Sequence, residues 1–199
     1  MVAAKTLMQM AGASPVPAPL GESVVVVIDA QQEYVDGRLP LPGAAPALAA
    51  IARLLARARA AGTPVIHVAH VGKAGGLFDP DGPGGQIATP ARPEPGETVV
   101  TKGLPNAFAG TGLQSALRAT GRSTLVLAGF MTHMCVSSTA RAALDLGWRT
   151  TVVADATATR ALPDPTGGAD IDAEALQRAA LAALSDRFAT VVTVDGLPG

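Results

Sequence analysis

Val24-Val25-Val26-Val27-Ile28-Asp29 is an unbroken run of β-branched residues closed by a carboxylate. A strand with one wet face alternates apolar and polar side chains, whereas a continuous apolar run is buried on both faces, as in a parallel sheet covered by helices. Besides this run at 24–29, strand-like runs lie at 64–70, 98–101, 123–129, 150–154 and 189–194. Helical patterns separate most of them. Pro46 to Ala61 carries Leu48, Ile51, Leu55 and Ala58 on one face and exits through Gly62 and Pro64. Gly112 to Thr120 stops at Gly121, Val136 to Leu146 stops at Gly147, and Ala173 to Asp186 follows the N-cap residue Asp172. Strands and helices alternating at these lengths predict an α/β fold, a three-layer α/β/α domain on a six-stranded parallel sheet with right-handed crossovers.

The chain of 199 residues reads as one domain over 23–199 behind a Pro-rich lead-in over 1–22, whose Ser14-Pro15-Val16-Pro17-Ala18-Pro19 is expected to be stiff and extended. With 48% hydrophobic and 16% charged residues it can build a substantial core. A net charge of -1 gives no basic surface for nucleic acid or anionic lipid, and 3% aromatic content leaves no base-stacking platform. No apolar stretch approaches the roughly 20 residues that span a bilayer. The segment Lys5 to Ala13 makes a poor signal peptide because Gln9 interrupts it. A cytoplasmic location is therefore expected, and there a thiol stays reduced.

Charged residues end two of the strands: Asp29 closes the first, and Lys102 closes Thr98-Val99-Val100-Thr101. The single cysteine, Cys135, lies where the run Leu125 to Gly129 breaks into a helix. In open α/β sheets ligands bind outside the carboxyl ends of the strands, so these three residues share the edge where chemistry is done. Singly, each has a plainer reading, as a turn former, a solvated strand end and a small buried hydrophobe. A helix N-terminus beside a lysine favours a thiolate, so a depressed Cys135 pKa is expected.

In Val27-Ile28-Asp29-Ala30-Gln31-Gln32-Glu33-Tyr34, in Thr101-Lys102-Gly103-Leu104-Pro105-Asn106-Ala107-Phe108, and in Ala128 to Cys135 with its helix, the chain resembles the isochorismatase-like cysteine hydrolases. The superfamily includes nicotinamidases, N-carbamoylsarcosine amidohydrolases and streptothricin hydrolases, and the resemblance runs from about Ser23 to Val194. It implies the strand order 3-2-1-4-5-6 and a homo-oligomer, a dimer or tetramer. It implies Cys135 as nucleophile, Asp29 as general acid/base, Lys102 as the cation beside both, and a cis peptide at Met131-Thr132. The oxyanion would meet the backbone N–H groups of Thr132 and Cys135. The implied activity is hydrolysis of a small amide, ureido compound or lactam through a thioester. A vinyl ether hydrolase of isochorismatase type and a non-catalytic scaffold are the alternatives.

Nicotinamidases hold a metal through an Asp-x-His pair and a further histidine. Here the second strand carries His67 and His70, three apart and therefore on opposite faces, so no metal site and no cofactor is expected. Gln177 stands at a helix position where relatives often carry histidine. Around the site, Gln31, Tyr34, Phe78, Asn106, Phe108 and His133 are the candidates for substrate contact. Gln31 and Asn106 are equally suited to capping turns, Tyr34 and Phe108 to the core, and His133 to a structural role. Arg141, further along the helix of Cys135, is expected in an ion pair. Residues 72–97 hold seven glycines and five prolines without periodicity, a long connection that leaves and re-enters the sheet near the site. Phe78 is its apolar point, either over the substrate or as an anchor. The loop Arg160 to Ile171 leaves the same edge and is expected to form the opposite wall.

Overall fold

The computed structural model describes residues 3–13 and 15–199, so Met1, Val2 and Ser14 of the expected lead-in lie outside the described residues. In the rest of that lead-in, Leu7–Met10 forms a single helical turn, α1. Thr6 Oγ1 accepts from the Gln9 amide and the Gln9 side chain accepts from the Thr6 amide, the reciprocal pair that starts short helices. Six parallel strands follow: β1 Ser23–Ile28, β2 Val65–His70, β3 Thr98–Lys102, β4 Thr124–Phe130, β5 Arg149–Ala158 and β6 Thr190–Val192. They are ordered β3-β2-β1-β4-β5-β6, the expected sequence, within a three-layer α/β/α fold.

The β-branched run earns its place at the centre: Val24 to Ile28 are all buried between β2 and β4. The helix α2, Ala44–Ala60, lays Leu48, Ile51, Leu54, Leu55 and Ala58 onto the sheet. Each of the leucine and isoleucine side chains contributes roughly 1.5 to 3 kcal/mol on burial. It ends at Gly62, whose φ of +64 suits glycine, with the Thr63 amide returning to Ala58 O at 2.9 Å. The helices α3 Leu113–Ala119, α4 Ser137–Asp145 and α5 Ala173–Arg187 complete the layers. Asp172 caps α5, accepting from the Ala175 amide at 2.7 Å.

Two elements depart from expectation. β5 runs on to Ala158 because its register with β4 slips between Leu127 and Gly129, where extra β5 residues bulge out and Thr157 re-joins opposite Gly129. Asp155 in that bulge accepts from the Val194 amide at 2.9 Å and pairs with Arg53. Arg141 makes no ion pair among the described residues; its guanidinium lies 4.0 Å over the Phe188 ring and its Nε donates to Ser137 Oγ.

Residues 72–97 are not structureless. They contain the 3-10 turns Pro83–Gly85 and Thr89–Ala91, and Ile87 bridges Gln31 in antiparallel fashion. No helix among the described residues is long and apolar enough to cross a membrane.

Candidate active site

β1 ends at Ile28, and Asp29 leaves it with φ +51 while its amide still donates to Val68 O at 2.8 Å. Aspartate tolerates this left-handed conformation better than most residues. β4 ends next to it: Gly129, with φ +118, packs so tightly on β1 that a Cβ there would stand 1.9 Å from Ile28 O. Met131, at φ +59, then turns the chain into a wide π-type turn, Thr132–Val136, in which the Val136 amide reaches Met131 O at 3.3 Å. Such turns recur at functional sites. The expected cis peptide at Met131-Thr132 is absent: no peptide bond among the described residues is cis, and the left-handed Met131 makes the bend instead.

This geometry brings Asp29, Lys102 and Cys135 together. Lys102 Nζ is 2.7 Å from Asp29 Oδ2 and 3.4 Å from Cys135 Sγ, and 3.3 Å from His70 Nδ1. All three residues are shut away from solvent, at 0%, 2% and 2% exposure. Asp29 Oδ1 and Thr132 Oγ1 are buried with no hydrogen-bond partner among the described residues.

The expected low thiol pKa is not found. Burial and then the Asp29 carboxylate push the Cys135 thiol up to about 12, against the downward pull of Lys102. Burial likewise raises the Asp29 carboxyl, and Lys102 opposes it. One cation thus serves two acids. A single negative charge beside Lys102 is well matched and a second is not, which is why the Asp29 carboxylate adds to the upward push on the thiol.

The neighbours sort clearly. Gln31 is fully buried and spent on the backbone: its Nε2 donates to His70 O and Gly85 O, and its Oε1 accepts from the His70 amide. It is a staple between β2 and the 72–97 loop, with no N–H left for a substrate. Asn106 caps its turn, accepting from the Phe108 amide at 2.9 Å, while Phe108 packs against the core, half-buried. The Tyr34 ring packs against Phe78 at 4.9 Å, tilted, and edge-on against Phe130 at 5.7 Å. Burial, and then the negative charges of Asp29 and Cys135, push the Tyr34 hydroxyl well above its usual range. Phe78, at φ +56, joins Tyr34 to the edge of His70, 5.2 Å away, and its amide points at the buried Glu33. His133 Nδ1 pairs with Thr159 Oγ1, and burial and then Arg160 lower its pKa. Gln177 holds the β5 bulge through Thr157 O and Oγ1.

His67 and His70 go to different partners. His67 Nε2 meets Glu97 Oε2 at 2.9 Å, and Glu97 is also held by Arg59. Among the described residues, no group of three or more His, Cys, Asp or Glu side chains is arranged to hold a metal ion.

Three residues of the site escaped the sequence reading. His70 touches Lys102; its signal was the strand-end position it shares with Lys102. Glu33 is a buried carboxylate that accepts from the Arg38 amide at 2.6 Å. Arg160 has a buried Nε without a hydrogen-bond partner among the described residues and lies near enough to Tyr34 and His133 to act on both.

Residues 23–196 match the isochorismatase domain model. An isochorismatase from Pseudomonas putida KT2440 of known structure superposes with a TM-score of 0.93 at 42% identity, over 98% of this chain and all of that one. The secreted isochorismatase effector Isc1 of Verticillium dahliae is 40% identical over 92% of this chain and 94% of its own. A streptothricin hydrolase of Streptomyces noursei is 38% identical over 87% of this chain and 63% of its own.

Proposed function

Because the chain belongs to the isochorismatase domain family, we propose that it is a cysteine hydrolase that cleaves the C–N bond of a small amide, ureido compound or lactam. The observation that carries the reading is the single Lys102 ammonium in contact with both Asp29 and Cys135. A vinyl ether hydrolase needs only an acid. It gives no reason for a sulfur beside that cation, although two of the similar proteins bear the isochorismatase name. The streptothricin hydrolase supports a hydrolytic reaction.

Asp29 takes the Sγ proton as the sulfur attacks the carbonyl carbon. Charge is conserved within the triad: the carboxylate is neutralised as the sulfur becomes negative, and Lys102 stays beside both. The carbonyl oxygen gains the negative charge and is met by the amides of Thr132 and Cys135, in the first turn of a helix where N–H groups lack intrahelical acceptors. The tetrahedral intermediate collapses, the C–N bond breaks, and Asp29 gives its proton to the leaving nitrogen. Water then loses a proton to Asp29 while attacking the thioester, and the departing sulfur recovers it. Each proton and electron pair comes from the chain, the substrate or water, so the scheme calls on no cofactor.

Asp29 Oδ1 and Thr132 Oγ1, buried without hydrogen-bond partners among the described residues, are groups a bound substrate would satisfy. Arg160 adds a positive charge at the same edge, suited to a polar or anionic substrate group. A working thiol suits a reducing compartment, so we assign the protein to the cytoplasm, although one relative is named as secreted.

A panel of amides, ureas and lactams, assayed for amine release or ring opening, tests the reading on wild type and Cys135→Ser. The variant is expected to fold and to lose activity by several decades. Retention of more than about a tenth would exclude sulfur as the nucleophile.

A further inference from the structure

Four side chains stand in a row along the carboxyl edge of the sheet, one for each of four adjacent strands. Lys102 ends β3, His70 ends β2, Asp29 follows β1 and Cys135 follows β4. Asp29 and Lys102 are not on neighbouring strands, so the lysine stem crosses the end of β2 to reach the carboxylate. His70 is the residue it crosses, and it is the register partner of Lys102. An ammonium has three N–H groups and accepts nothing. Around Lys102 Nζ there are three acceptors: Asp29 Oδ2 at 2.7 Å, His70 Nδ1 at 3.3 Å and Cys135 Sγ at 3.4 Å.

We propose that His70 is a positioning residue for the hydrolysis: its Nδ1 takes the third N–H of Lys102 and so aims the other two at Asp29 and Cys135. The inference rests on the roles given above to Lys102 and Cys135. Because the ammonium only donates, His70 Nδ1 presents a lone pair and the ring proton sits on Nε2.

The fold supplies a rigid mount for this imidazole. Gln31 clamps the His70 backbone at both ends, donating to its carbonyl and accepting from its amide at 2.9 and 2.8 Å. The Phe78 ring edge bears on the imidazole. The charged groups that face it are Lys102 from β3 and Asp29 beyond β1, whereas Gln31 and Phe78 are neutral. Burial, and then Lys102, lower the His70 pKa, which keeps the ring neutral and able to accept. Protonation would set two cations in contact and remove the acceptor, so the triad would loosen on the acid side.

The test uses iodoacetamide labelling of Cys135 between about pH 7 and 10, together with two-bond proton–nitrogen spectra of the histidine rings. His70→Leu removes the acceptor and is expected to slow labelling about tenfold, one unit in the thiol pKa. His70→Asn keeps an acceptor on a short side chain and is expected to label within about threefold of wild type. In wild type the spectra are expected to show His70 Nδ1 bare and Nε2 protonated, which needs no variant to fold. A proton on Nδ1 would overturn the inference. So would wild-type labelling of His70→Leu alongside slow labelling of Lys102→Met, since Lys102 would then act unaided. Wild-type labelling of Lys102→Met as well would overturn the role of Lys102 itself.

Discussion

Lys102 reaches Asp29 over an intervening strand, closing a buried 2.7 Å ion pair between the ends of β3 and β1. Adjacent strands are about 4.8 Å apart, so a pair spanning two such steps needs the full length of a lysine stem. The same ammonium lies 3.4 Å from Cys135 Sγ, and the cation therefore balances one negative charge shared by two acids.

Replacing Lys102 with Met removes that balance. The Cys135 thiol, already pushed up to about 12, loses a neighbour that pulls it down, so its pKa rises further. Labelling by iodoacetamide between about pH 7 and 10 is expected to slow by tenfold or more. Superimposable pH profiles for variant and wild type would show that Lys102 does not act on the sulfur.

Asp29→Asn is expected to separate reactivity from catalysis. Removing the carboxylate removes a charge that holds the thiol up, so the thiol pKa falls and labelling near neutral pH speeds up. Hydrolysis is expected to drop by at least about two decades, because no group remains to carry the proton to the leaving nitrogen. Slower labelling than wild type would mean that the carboxylate helps the sulfur ionise rather than opposing it.

Gly129→Ala tests the seam that brings Asp29 and Cys135 together. Its Cβ would sit 1.9 Å from Ile28 O at a φ of +118, and both atoms belong to central strands. A loss of at least about 3 kcal/mol in urea unfolding, or failure to obtain folded protein, is expected. A loss under about 1 kcal/mol would show that β1 and β4 can move apart.

Glu97 governs acid stability. Against the upward push of burial, hydrogen bonds from Arg59, the Glu94 amide and His67 hold its carboxyl down to about 2, below the ordinary 4.5. Its contribution is therefore present above that ordinary value and disappears as pH falls from there towards about 2. Glu97→Gln is expected to be less stable than wild type at neutral pH and to converge with it in acid. A constant gap at all pH values would show that the carboxyl titrates normally.

The strands and their charged ends were legible because Val24 to Ile28 and Thr98 to Thr101 are continuous runs; burial on both faces holds for the first, whereas in the sheet-edge strand β3 Thr98, Val99 and Thr101 are exposed and only Val100 and Lys102 are buried. Asp29, Lys102 and Cys135 followed from that edge. The β5 bulge was not legible: Ala154, Asp155 and Ala156 break the strand pattern, and only pairing with β4 recovers it at Thr157. Gln31, two residues after Asp29, was read as a substrate contact or a turn cap, yet its amide closes on His70 and Gly85, contacts 39 and 54 residues away in sequence. The thiol direction was misjudged for a related reason. A helix terminus and a lysine are visible in sequence, whereas the depth of burial and the distance to a second acid are properties of the assembled edge.

The seclusion of Cys135 also bears on how long the protein lasts in use. Peroxide and other oxidants attack thiolates that solvent can reach, and the products beyond the sulfenic acid are not reversed. A sulfur at 2% exposure whose thiol is pushed up to about 12 offers such reagents little to attack. The packing that buries the chain's only thiol thus also shields it from such reagents.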